Sequence, residues 1–166
     1  MKKGLIAKVV GLGVSLLSVI LFFVSEISLK MTATVMGQKM KETAKVDIWD
    51  IVTNKDGAFD DTLAKPIMTI VFALLVIATI YFAVSVVLEV LGKKLPVAQL
   101  DLVGAGVVVL AAIIMIVAHF IPETRKMFVG IEVEAKIHLE TLKCFVTYVV
   151  LLGGAAAVAA NVVLKD

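Results

Sequence analysis

The chain has 166 residues, 61% of them hydrophobic, 18% charged, with a net charge of +2, and its mean hydropathy is +1.07. A soluble domain is nearer half apolar, and a chain this short buries too little surface to hide the excess, so a purely water-soluble globule is excluded. The small net charge forms no basic stripe and gives no reason to expect a nucleic-acid partner, and the single cysteine, Cys144, allows no intrachain disulfide.

A helix crosses the hydrocarbon layer with about 20 apolar residues, and four stretches meet that length: 5–24, 67–91, 102–121 and 144–164. The first follows Lys2 and Lys3 as a secretion signal would. Its apolar run is longer than such signals use, and no small-residue cleavage site follows Val24, so it is expected to be a retained helix. The first loop, 25–66, opens with Ile27, Leu29, Met31, Ala33 and Val35 alternating with polar residues, the period-two pattern of a half-buried strand. Val46–Val52, around Trp49, is a weaker strand candidate, and Asn54-Lys55-Asp56-Gly57 reads as a turn.

Asp60, Asp61 and Thr62 are candidate caps for the second span, with Pro66 in or near its first turn and Gly92 as its stop. Asp101 is the expected cap of the third span, and Pro122 ends it. In the second loop, 122–143, Ile131, Val133, Ala135, Ile137 and Leu139 alternate strictly with charged residues and His138. This is the cleanest strand signal in the chain. Two lone strands are marginal in water, so the loops are expected to pair into one small sheet above the helices, with Trp49, Phe59 and Phe128 filling the space beneath. Trp49, Ile131, Val133 and Ile137 are the candidate contact residues there, since an exposed sheet edge can pair with another molecule.

Lys2, Lys3, Lys8, Lys93, Lys94 and Lys165 fall on one side of four alternating spans. The loops on the other side are longer and balanced, with six lysines against seven acids in the first and four basic residues against four acids in the second. The side with the short basic segments is expected to be cytoplasmic, which places both termini there. Cysteine-poor outer loops suit a prokaryotic plasma membrane.

Four spans, cytoplasmic termini, a long first and a shorter second outer loop, and strands in both resemble the claudin-type tetraspan arrangement. That resemblance covers the chain as topology. It implies a membrane all-α four-helix bundle with a small extracytoplasmic β-sheet. It also implies a role in forming cell–cell barrier strands or in serving larger membrane complexes as an accessory subunit. Of the claudin motif only Trp49 has a counterpart, and loop one holds no cysteine, so the architecture carries over and no site residue does.

Small residues let membrane helices approach closely. Ala7, Gly11 and Ser15 recur at i+4 in the first span, Gly104 and Gly106 lie in the third, and Gly153 and Ala157 in the fourth. These faces serve packing within the bundle or contact between subunits. The second span is bulky almost throughout and could meet lipid or a larger partner.

Ionisable residues within spans are functional suspects. Lys8 can snorkel to the surface, and Glu89 stands four residues before Lys93, a helix-stabilising spacing. His119 reads as an interfacial residue, with a proton carrier, ligand or headgroup contact as the alternative. His138 with Glu132, Glu134 and Glu140 could hold a divalent cation, but alternating charges on a solvated strand explain them more simply. The segment 54–61 lacks the spacing of a calcium loop. No nucleophile elbow, phosphate loop or zinc motif is present, and no span is charged near its centre.

The expectation is a non-catalytic protein without cofactor or metal. Its partners would be membrane lipids and either copies of itself or other membrane proteins. An oligomeric channel or transporter component is the alternative.

Overall fold

The computed structural model describes residues 3–35, 38–93, 100–128 and 132–164. Four long helices form the bundle: α1 (Lys3–Val24), α3 (Ala64–Val90), α4 (Leu100–Phe120) and α5 (Phe145–Val163). Each is long and apolar enough to cross a membrane. They pack in a ring in the order α1, α3, α4, α5 and back to α1, so that every neighbour runs antiparallel. Only 28 to 39% of the residues in each span's most apolar stretch are buried within the chain. The remainder is outward-facing Leu, Ile, Val and Phe, such as Leu17, Ile77, Ile80 and Leu110, a continuous apolar surface of the kind that lipid covers. The four helices thus support a four-span membrane protein.

One end of the bundle carries the start of α1, the end of α5 and the turn after α3. The other carries the sheet and is called the cap end. Strands β1 (Glu26–Val35), β2 (Gln38–Asp47), β3 (Glu123–Phe128) and β4 (Glu132–Leu139) form one antiparallel sheet in the order β2-β1-β4-β3. Both expected strands are present and pair with each other, Leu29 opposite Leu139 and Thr34 opposite Glu134. Ile27 and Leu29 from β1 and Leu139 from β4 join the core of the bundle, which fixes the register, since a one-residue slip would turn them outward.

The structure departs from expectation around residues 38–53. A strand that was not anticipated, β2, ends at Asp47, and the helix α2 (Ile48–Thr53) occupies most of the segment read as a strand. Ile48 and Ile51 are fully buried, at the i,i+3 spacing of one helix face. Asn54 ends α2 in the left-handed conformation, φ 43°. Its side chain accepts a hydrogen bond from the Phe59 amide and donates one to Asp60 Oδ1, both 2.7 Å. Lys65 also bonds Asp60, and its hydrogen bond chiefly holds that carboxyl below the ordinary range.

Other boundaries also differ. The residue capping α3 is Leu63, without a side-chain cap bond. Its amide instead donates to Glu123 Oε2 at 2.9 Å, so Asp60, Asp61 and Thr62 are not the caps. Pro66 does lie in the first turn, where its missing N–H costs nothing. Gly92 ends the helix with φ 69°, and the Lys93 amide reaches back to the Leu88 carbonyl. Asp101 lies inside α4, which begins at Leu100, rather than capping it.

Candidate functional site

Most of the small residues singled out in the spans lie at helix contacts within the chain, whereas Gly106 is exposed and a methyl group there would meet nothing within 4 Å. A methyl group on Gly11 would strike the ring of Phe82 from α3, and one on Gly104 would lie 2.6 Å from Tyr81 and 3.2 Å from Phe82. Gly153 meets Val14 of α1 in the same way. Ala7, Ser15 and Ala157 are buried, and Ser15 donates to the Leu12 carbonyl of its own helix.

Lys8 and Glu89 are brought together, contrary to their expected roles. Lys8 Nζ stands 2.8 Å from Glu89 Oε2, with side chains 10% and 18% exposed. The antiparallel packing of α1 on α3 places residues 81 apart in sequence at the same height. Glu89 thus meets Lys8, where the i+4 reading paired it with Lys93.

At the cap end, Trp49 packs against Phe23, ring centroids 4.4 Å apart, and Phe72, 5.4 Å apart. Phe59 packs on the core. Ile137 is half-buried, opposite Met31 and Glu123. Val133 pairs with Met127 through the backbone, while Ile131 lies outside the described residues. Phe128 ends β3 opposite Glu132.

Alternation divides the strands into two faces. Leu29, Met31, Ala33, Ala135 and Ile137 share one. The other carries Lys30 beside His138, and Thr32 flanked by Lys41 on β2 and Lys136 on β4. Between this basic face and the end of α4 lies a cleft of about 400 Å³, lined by these five residues with His119 and Glu140.

The cleft is held in place from below. Thr141 Oγ1 donates to the Met115 carbonyl of α4, and Thr147 Oγ1 to the Thr141 carbonyl, both at 2.6 Å. The Glu140 amide donates to the Ser28 carbonyl of β1 at 2.9 Å. These bonds fasten the turn at 141–143 between α4, α5 and the sheet. They bring Glu140 and His138 over His119, a convergence that no spacing in the sequence announces.

Glu140 is nearly buried, and Lys143 Nζ donates to both of its carboxylate oxygens at 2.9 Å. That hydrogen bonding, with help from the charges of Lys143, Lys30 and His119, holds the carboxyl below its ordinary value of 4.5 against the opposing effect of burial. A carboxyl whose value is lowered by folding stabilises the fold above its unfolded value, and the contribution is lost as the pH falls through the lowered one. Glu140→Gln is therefore expected to lose about 1 kcal/mol near neutrality, the scale of a charged but partly solvated hydrogen bond. Melting curves of the two proteins should converge as the pH drops below 4.5. A difference that persists unchanged in acid would contradict this.

Among the described residues no three His, Cys, Asp or Glu side chains converge as a metal site. No family model, curated protein or solved structure matches the chain.

Proposed function

We propose that this chain is a non-catalytic assembly component of a plasma membrane, its helices holding the sheet on the extracytoplasmic side and both termini in the cytoplasm. It acts as an accessory subunit of a larger membrane complex or by association with its own copies. The observation that carries the reading is β2. This strand of ten residues forms one outer edge of the sheet, and every residue in it is exposed except half-buried Val46. Its outer side offers a row of backbone donors and acceptors, and strand addition is a common way for a second protein to use such an edge.

Gly11, Gly104 and Gly153 are taken up by neighbouring helices of the same chain, and of the small residues singled out only Gly106 stands open, which makes the sheet the better candidate for contact. Lys39, Lys41 and Lys45 share one face of β2. Antiparallel pairing with a second copy would bring like charges together, so the edge suits a partner strand that carries carboxylates. The lysines at the terminal end support the orientation, and the claudin-type arrangement supports the role by analogy.

A photoreactive residue at Met40, 65% exposed on β2, tests the reading, with one at Leu91, 64% exposed at the opposite end, as control. The expected result is an adduct from Met40 alone, and a mass above 17.7 kDa by native mass spectrometry after gentle extraction. Added polypeptides of other mass mean an accessory subunit, and whole multiples mean self-assembly. A lone chain with no Met40 adduct overturns the proposal.

A further inference from the structure

The basic cleft carries a charge surplus that its own side chains leave unbalanced. Among the described residues the only carboxylate lining it, Glu140, is engaged on both oxygens by Lys143. Once those two are set against each other, Lys30, Lys41 and Lys136 contribute three positive charges, and among the described residues none of the three has an ion-pair partner. Lys41 and Lys136 flank Thr32 on the strands either side of it. Strands lie about 4.8 Å apart, which sets these two backbones roughly 10 Å apart. Two lysine side chains can close that distance around one small anion. Gathering like charges destabilises the sheet, and a bound anion would relieve this.

His119 supplies a second, independent observation. Its Nδ1 is buried and, among the described residues, has no hydrogen-bond partner, a condition in which buried polar atoms are seldom found.

We infer that the cleft binds a phosphate-bearing anion, and that its source is the headgroup of an anionic membrane lipid. Ammonium groups bind phosphate as point charges, while the Thr32 hydroxyl and the imidazoles add directed hydrogen bonds. The location favours a lipid. His119 is the penultimate residue of α4, so the cleft opens where a span ends, the level of the lipid headgroups. At the same height Phe120 and Phe145 are 69% and 67% exposed, an apolar surface for acyl chains.

The test uses the full chain in an uncharged detergent. It is titrated with phosphatidylglycerol or phosphatidylcholine and read by native mass spectrometry, and separately with inorganic phosphate by calorimetry. Lys30, Lys41 and Lys136 are all exposed, so K30Q/K41Q/K136Q should fold, which circular dichroism checks. The expected result is preferential retention of one phosphatidylglycerol and a roughly hundredfold loss of it in the triple variant, at several-fold per lysine. The control K39Q/K45Q, on the same face of β2 but outside the cleft, should retain the lipid. Equal losses in both variants would reduce the effect to general surface charge and overturn the site. No preference for the anionic lipid overturns the lipid as source. If inorganic phosphate then binds and the triple variant abolishes it, the anion site stands with a soluble ligand; if it does not bind, the site itself is refuted.

Discussion

Lys8→Met is expected to lower the stability of the bundle by about 3 kcal/mol, the lower end of the range for breaking a buried ion pair from one side. The loss comes from Glu89, whose carboxylate faces Lys8 at 2.8 Å and is 18% exposed. Without the ammonium it loses the close ion pair that offsets part of its desolvation. Lys8→Met combined with Glu89→Met should regain most of the loss, because replacing both members of such a pair by apolar side chains is often neutral. Unfolding in mixed micelles, followed by the fluorescence of the sole tryptophan, Trp49, measures both variants. A double variant no more stable than the single would show that the charge of Glu89 is not the cause.

Phe82→Ala should cost about 2 kcal/mol. In water such a truncation costs about 3–5 kcal/mol, part of it the transfer of the ring out of solvent. A helix separated within a membrane keeps its apolar side chains in lipid, so that part largely cancels and the loss of packing remains. Here the packing is specific. Phe82 is fully buried, and its ring occupies the space left by the missing side chain of Gly11 and borders that of Gly104, which Tyr81 fills. Gly11→Leu alone overpacks the same site, at about 1–3 kcal/mol. Together with Phe82→Ala it fills the space from the other side, so the pair should be less destabilised than the sum of the singles. Simple additivity in the micelle assay would mean that ring and glycine do not share the space.

The spans and two of the four strands were legible because each rests on a local pattern. Twenty apolar residues in a row need no partner to be recognised, and strict alternation in 27–35 and 131–139 marks residues half covered by a neighbouring layer. Strand β2 lacks that mark. Lys39, Lys41, Glu42 and Lys45 are all exposed, and the strand is held by its ladder to β1 rather than by a buried face. The segment 46–52 misled for a related reason. Val, Ile and Trp favour strands, but the burial of Ile48 and Ile51 one helical turn apart decided the conformation. The pairing of Lys8 with Glu89 and the gathering of His119 with Lys30 and Lys136 depend on how the helices and strands return past one another. No spacing along the chain encodes either.

The joint between α1 and β1 has a mechanical consequence. A single residue, Ser25, separates helix from strand, and its carbonyl accepts the amide of Ile48 at 3.0 Å, where α2 begins. One residue leaves no slack for a hinge. A pull on the edge of the sheet is handed through β1 directly into α1 as torque, and a tilt of α1 swings the sheet as a lever swings its arm. Helix α1 thus joins the cap directly to the far end of the bundle, where Lys8 pairs with Glu89.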